Sequence, residues 1–411
     1  MDATINRSRL FLASCMALIA TAMSFAIRGD LMGPWGEVFT LTGEQIGWVT
    51  GTAFWGFTLA MIFGGPIVDV IGMKRIMLFA FLGHLAGVLV TITATGFWTL
   101  FLGTLLIGIA NGLVEAACNP LVAGMYNTEK TKMLNRFHVW FPGGIVIGGL
   151  VMYLMSNMGM GWQLKVGVML IPTLIYGYLF FGQSFPETER VSSGVSTADM
   201  FKACASPIFI FMVICMFMTG ATELGTNQWI TSLLENVGVQ SILVLVFISG
   251  IMAAGRAFAG PVVHRFSETG VLLTSAVLTA LGLVLMSQMS GGAIFVAAAI
   301  FAVGITYFWP TMLGYVNTYL PKTGALGLSI MGGAGMLSTS LIIPYMGRIK
   351  EEQTALAADA GLDATAADLA GGAATLQYVT VLPIILIAAF IFLHFYTKKN
   401  LKAEIKEPQA A

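Results

Sequence analysis

The chain has 411 residues, of which 57% are hydrophobic and only 10% charged, and its mean hydropathy is +0.85. Soluble domains carry about 25% charged residues, so this composition excludes an ordinary water-soluble domain. Twenty basic and twenty acidic residues cancel, which leaves no basic excess for a nucleic-acid backbone and no acidic tail. Cys15, Cys118, Cys204 and Cys215 sit in or beside apolar runs without metal or redox spacing, against a disulfide framework, a zinc site or a CxxC oxidoreductase. The chain contains 48 Gly and 25 Met, and Gly is commoner in transmembrane helices than in soluble ones. An all-α integral membrane protein embedded in a lipid bilayer is expected, without metal or cofactor.

A helix needs about 20 apolar residues to cross a bilayer core. Such stretches centre on residues 10–33, 46–68, 76–95, 97–123, 137–157, 162–181, 207–232, 240–262, 268–288, 292–318, 323–347 and 375–396. Residues 1–10 run into the first stretch without a small-residue cleavage site, which reads as a retained span. With the N-terminus inside, fifteen of the twenty Lys and Arg fall on the cytoplasmic side, two (Arg348 and Lys350) on the other, and Arg28, Lys165 and Arg256 within spans. That asymmetry predicts both termini in the cytoplasm, as an even number of spans requires. A bacterial inner membrane is expected. Lys165 reads as a side chain that snorkels to the outer interface. Residues 351–374, dominated by Ala and Asp and interrupted by Gly361, Gly371 and Gly372, read as a solvated loop.

The polar stretch after Gly182 divides the spans six and six. It predicts an N-terminal six-helix bundle over 1–182, a cytoplasmic linker over 183–206 and a C-terminal bundle with its tail over 207–411. Gly65-Pro66-Ile67-Val68-Asp69 after the second span is echoed by Gly260-Pro261-Val262-Val263-His264 after the eighth. Parallel repeats of six helices are the build of one large transporter class. Gly65-x-x-x-Asp69-x-x-Gly72-x-Lys74-Arg75 resembles the loop motif of the major facilitator superfamily, where such residues latch the two halves on the cytoplasmic side. The resemblance implies that gate for Gly65, Asp69, Gly72, Lys74 and Arg75; positive-inside anchoring explains the basic pair equally well. The second copy departs from the motif at His264.

Within the fourth span, Glu115-Ala-Ala-Cys-Asn119-Pro120 resembles the Glu-x-Ala-x-Asn-Pro signature of the fucose:proton symporter group. Asp30, Pro34 and Phe39-Thr40-Leu41-Thr42 are similar to the first-span region of those symporters, and Tyr307-Phe-Trp309-Pro310-Thr311 also fits. The resemblance implies proton-coupled uptake of hexoses or deoxyhexoses by a monomer whose two halves rock. It implies a proton carrier at Asp30 and a proton- and substrate-linked carboxylate at Glu115. Asn135 matches the family's fifth-helix motif, whereas His138 stands where Gln is expected and Arg28 where Asn is expected.

The residues support a site by themselves. An acid or Arg at mid-bilayer costs roughly 2.5–3.5 kcal/mol on insertion scales, so Arg28, Asp30, Glu115 and Glu223 should face a polar cavity or one another. Asn111, Glu115 and Asn119 recur every four residues on one helix face, beside a small-residue stripe of Gly108 and Gly112. The seventh span repeats the plan with Thr219, Glu223 and Asn227, and the tenth with Tyr307, Thr311 and Tyr315. Expected substrate contacts are Arg28, Asn111, Glu115, Asn119, His138, Glu223, Asn227, Tyr307 and Trp309. Trp48, Trp55, Trp140 and Trp309 are candidates to stack on a sugar ring. Desolvation favours the neutral carboxyl, so a buried acid can take and release a proton near neutral pH. Gly29, Gly33 and Pro34 predict a break in the first helix around Asp30. His84 reads as a satisfied packing residue.

Two other functions fit the same residues. One is proton-coupled transport of a small organic anion, such as a sugar acid, held by Arg28. The other is a membrane sensor or assembly factor that binds a ligand without moving it. No HExxH, GxSxG or catalytic His–Asp or Cys–His arrangement is present, so no enzyme is expected.

Overall fold

The computed structural model describes residues 5–126, 133, 136–186, 202–257 and 266–401. Asn135, most of the interbundle linker and the segment 258–265, with His264, lie outside them. The spanning helices are α1 (Arg7–Phe39), α2 (Gly43–Ile71), α3 (Met73–Ile92), α4 (Phe97–Met125), α5 (Arg136–Asn157) and α6 (Trp162–Phe180). The others are α7 (Pro207–Leu233), α8 (Ser241–Ala257), α9 (Glu268–Met286), α10 (Gly291–Val316), α11 (Gly324–Asp359) and α12 (Ala364–Tyr396). Eleven of these helices are long and apolar enough to cross a membrane, and α8 is a shorter apolar helix. Here the upper end carries residues 40–42 and the 360–363 turn, and the lower end carries Gly72.

Local chemistry sets the boundaries. Thr42 and Gln45 form a reciprocal capping box at the start of α2, with Gln45 N donating to Thr42 Oγ1 at 3.2 Å and Thr42 N to Gln45 Oε1 at 3.0 Å. Gly72 joins α2 to α3 at φ +85°, a conformation open to a residue without Cβ. Asp363 caps α12 by accepting from Ala366 N at 2.9 Å.

Two sequence expectations are corrected. Residues 351–374 are not a loop: α11 runs to Asp359, and α12 starts at Ala364. The 36 residues of α11 make a rod about 54 Å long, against a bilayer core of about 30 Å. Ala favours helix, and the glycines serve close packing. A Cβ on Gly371 would meet the Lys350 carbonyl oxygen at 2.8 Å, and one on Gly372 would strike the Leu233 carbonyl of α7. Nor does α1 break at Asp30: it continues through Pro34. Proline removes a donor and crowds the preceding turn, but neighbouring helices can satisfy the affected backbone. The carbonyl that Pro34 leaves without a donor is that of Asp30; one residue before it, the Gly29 carbonyl accepts from the Thr231 hydroxyl of α7, which ties α1 to α7 at this turn.

Helices α1–α6 pack on one another, as do α7–α12, and the two sets meet through α2–α11, α5–α8 and α1–α7. The stripe of Gly108 and Gly112 lies against α2, where a Cβ on Gly108 would come within 2.5 Å of the Thr52 carbonyl oxygen. The α2–α11 contact is tightest at the upper end. There a Cβ on Gly43 would meet the Gly347 oxygen at 2.6 Å, and one on Gly47 the Ile343 oxygen at 2.9 Å. Lower down, a Cβ on Gly51 would have an ordinary 3.4 Å contact with the Ser340 oxygen. On α8, Gly250 has open space where a Cβ would stand. His138 and Trp140, at the lower end of α5, are exposed. The halves therefore converge at the upper end and part toward the lower.

Candidate functional site

A cavity of about 430 Å³, its mouth included, lies between α1 and α5 on one side and α7 and α8 on the other. Phe25, Ala26, Phe141, Pro142 and Ile145 form one wall, and Glu223, Leu224, Asn227, Gln228, Leu245 and Met252 the other. The aromatic rings are fixed by edge-on contacts, Phe25 with Phe54 at 5.1 Å and with Phe141 at 5.5 Å between centroids.

The polar wall is built on a distorted stretch of α7. Residues Ala221–Gly225 form a π-helical turn, a local widening often found at functional sites. Glu223 is buried in that turn, and its Oε1 accepts from Arg256 Nη2 at 3.0 Å. Arg256 Nε also donates to the Thr306 carbonyl at 3.1 Å. That carbonyl is four residues before Pro310, which has no N–H to offer it, so Arg256 ties the carboxylate of α7 to the break in α10. Tyr307 sits at that break and donates to the Gly255 carbonyl at 3.1 Å. Buried Gln228 leaves both side-chain polar atoms without a partner, and Asn227 leaves its Oδ1 free. Buried polar groups are normally hydrogen-bonded, so these atoms form a prepared edge for a polar ligand. Sequence reasoning missed Gln228, Arg256, Phe25 and Phe141. The adjacent Asn227-Gln228 pair after a mid-span Glu was the available signal.

A second polar seam runs along α4 and α5. Asn119 Nδ2 donates to Glu115 Oε2 at 2.8 Å, and Asn119 Oδ1 lies 2.9 Å from His138 Nε2. This chain links the buried carboxylate of Glu115 to the exposed ring of His138 at the open lower end. Asn111 is not aligned with it as a substrate contact. Its Oδ1 is 2.8 Å from His84 Nε2, its Nδ2 donates to Ser24 Oγ at 3.0 Å, and it has no exposed surface. His84 is also 2.8 Å from the Tyr176 hydroxyl through Nδ1, so it is a packing residue with both nitrogens engaged.

Asp30 lies apart from the cavity, and the expectation for Lys165 is overturned. Lys165 does not snorkel: it is buried, with Nζ 2.8 Å from Asp30 Oδ2 and 2.6 Å from Ser156 Oγ. A carboxylate was close enough to compensate its charge within the protein. Arg28 pairs with neither Glu115 nor Glu223. Its Nη2 donates to Ser24 Oγ at 3.3 Å, and its guanidinium lies 4.9 Å from the Phe25 centroid. Trp309 packs on α11, where a Cβ on Gly335 would meet its ring at 2.7 Å. Tyr315 is buried, with its hydroxyl 2.7 Å from Thr397 Oγ1 rather than at the cavity. Trp48 and Trp55 stack on each other at 6.5 Å. Lys74 and Arg75 are exposed at the start of α3, while the surroundings of Gly65 and of the Asp69 side chain are outside the described set. Among the described residues no group of His, Cys, Asp or Glu could hold a metal ion.

Two sets of six helices around a mid-depth cavity that is closed toward one end are the architecture of one large class of membrane transporters. The chain belongs to the Major Facilitator Superfamily, whose family model matches residues 10–344. That family is one of transporters rather than of enzymes. Partial relatives include facilitated glucose transporter member 10 of solute carrier family 2 from Danio rerio, 32% identical over 122 residues. That match covers 29% of this chain and 24% of the relative. The D-xylose transporter of Levilactobacillus brevis is 26% identical over 181 residues, 43% of this chain and 37% of the relative. The MFS-type transporter YqjV of Bacillus subtilis is 23% identical over 312 residues, 71% and 73% of the two chains. The chain therefore matches only about a quarter to two fifths of the length of its sugar-transporting relatives. In fold it is similar to a bacterial homolog of the human lysosomal transporter Spinster in an inward-facing, occupied conformation. The TM-score is 0.78 at 15% identity, over 96% of this chain and 98% of that one. The D-xylose-proton symporter gives a TM-score of 0.70 at 13% identity, over 90% and 97%.

Proposed function

We propose that the protein is a proton-coupled symporter of a monosaccharide, a hexose or deoxyhexose, working by alternating access. The observation that carries this is the cavity, with aromatic faces on α1 and α5 and unpaired amide atoms beside a carboxylate on α7. A sugar ring has apolar faces and a polar rim, and its hydroxyls suit carboxylate and amide groups. Relatives that transport glucose and D-xylose support the reading. Two carboxylates within the spans, buried Glu115 and half-buried Asp30, are candidates for the proton. Glu115 is held by a neutral amide, and Asp30 is held by Lys165. A proton on Asp30 would release Lys165 and loosen the α1–α6 contact, which gives coupling a mechanical route. Both termini are assigned to the cytoplasm of a bacterial inner membrane, so the state described is open inward. The protein acts as a monomer with two rocking bundles, latched by Asp69, Lys74 and Arg75 when closed inward.

Asp30→Asn tests the coupling. Proton-driven uptake should be abolished while substrate exchange persists in part. Equal loss of both modes in a folded variant removes Asp30 from the coupling role.

A further inference from the structure

Among the described residues, each basic side chain buried or half-buried at mid-span or near the upper end has a carboxylate, with one exception. Lys165 has Asp30 at 2.8 Å, Arg256 has Glu223 at 3.0 Å and Lys350 has Asp368 at 2.8 Å. Arg28, only 3% exposed, has none among the described residues. Its one hydrogen bond goes to Ser24 Oγ, an oxygen that also accepts from Asn111 Nδ2 and whose proton goes to the Thr21 carbonyl. Nε and Nη1 of Arg28 have no acceptor. Beyond Ser24 the shell continues through Asn111 to His84 and Tyr176, none of which brings a negative charge. An unpaired buried charge is strongly destabilising, and guanidinium is the side chain best suited to carboxylates.

Arg28 stands beside the cavity. Phe25, whose ring it rests on at 4.9 Å, lines the cavity, and so does Ala26. A Cβ on Gly29 would meet the Gln228 carbonyl oxygen at 3.6 Å. Arg28 does not itself line the cavity, so seating a ligand on it requires the packing of Phe25 against Phe54 and Phe141 to yield when the cavity is occupied.

We propose that Arg28 seats the carboxylate of the transported molecule, so that the preferred substrates are sugar acids of the hexuronate type. This rests on the reading of the cavity as a monosaccharide site and exchanges the neutral hexose or deoxyhexose of that reading for an acidic sugar. The polar rim would meet Glu223, Asn227 and Gln228, and the carboxylate would complete the hydrogen bonds that Arg28 lacks.

The test is calorimetric binding to the purified full chain in a chloride-free methanesulfonate buffer. D-glucuronate, D-glucose and chloride are the three probes, applied to wild type, R28Q and R28K. The expected result is at least tenfold tighter binding of glucuronate than of glucose by wild type. The ratio should collapse toward one in R28Q and recover in part in R28K. Thermal unfolding without ligand serves as an independent readout. R28Q should be no less stable than wild type, because it removes an uncompensated charge, and should lose stabilisation by glucuronate. Equal affinities in wild type, or a preference that survives R28Q, overturn the inference while glucose binding leaves the monosaccharide reading standing. Chloride binding that depends on Arg28, without preference for glucuronate, overturns it in favour of an inorganic anion. Failure of both sugars to bind overturns the inference and the monosaccharide reading together.

Discussion

Gly47→Ala should shift the protein away from the conformation described. The added Cβ would stand 2.9 Å from the Ile343 oxygen and 2.9 Å from the Pro344 nitrogen, and nearer still to the Pro344 Cα. All are backbone atoms, so no rotamer change relieves the clash, and α2 must part from α11 by about 1 Å to restore ordinary contact. Overpacking of this kind costs about 1–3 kcal/mol. The cost applies only while the upper end is closed, because only then do the helices touch. It therefore changes the ratio of the two states by about 5-fold to 150-fold, given that about 1.4 kcal/mol is tenfold. Spin labels at exposed Val38 and Leu356 would report it by pulsed dipolar spectroscopy. The four native cysteines are buried, which limits background labelling. The long-distance population should grow in Gly47→Ala, and uptake should slow. A distance distribution identical to wild type, in a folded protein, would refute the reasoning.

Other outcomes follow from the charge pairs. Lys165→Met leaves half-buried Asp30 without its counter-charge, a loss of up to roughly 3 kcal/mol; Tm should fall, and the double variant with Asp30→Asn should recover most of it. No recovery would mean that the pair does not act as a unit. Arg256→Met unties Glu223 from the Thr306 carbonyl, so both Tm and substrate affinity should drop. Unchanged affinity by calorimetry would place Glu223 outside the binding edge. Glu115→Gln should weaken substrate binding, and a wild-type binding isotherm would remove Glu115 from the site.

Hydropathy made the membrane architecture legible because each span is a local run of apolar residues. The helical spacing of Glu223 and Asn227 likewise pointed to a face that lines the cavity. What stayed hidden depends on tertiary partners. The Lys165–Asp30 pair joins residues far apart in sequence, so local pattern favoured a snorkelling Lys. Gly371 and Gly372 looked like helix breakers because their purpose, the approach of Lys350 and Leu233, is absent from the local sequence. Gln228 fell off the four-residue stripe that picked out Asn227, and the π-helical turn at Ala221–Gly225 changes the register that a regular helix would impose. Pro34 suggested a break because the packing of α1 among its neighbouring helices, which lets it continue to Phe39, is absent from the local sequence.

The most direct measurement is proton flux into liposomes that contain the purified protein and a sealed pH-sensitive dye. Neutral hexoses, deoxyhexoses, amino sugars and hexuronates would be added outside in turn. Acidification on addition of a monosaccharide, abolished by Asp30→Asn, is the predicted result. Substrate entry without any acidification, or no response to the whole panel, would contradict a proton-coupled sugar symporter.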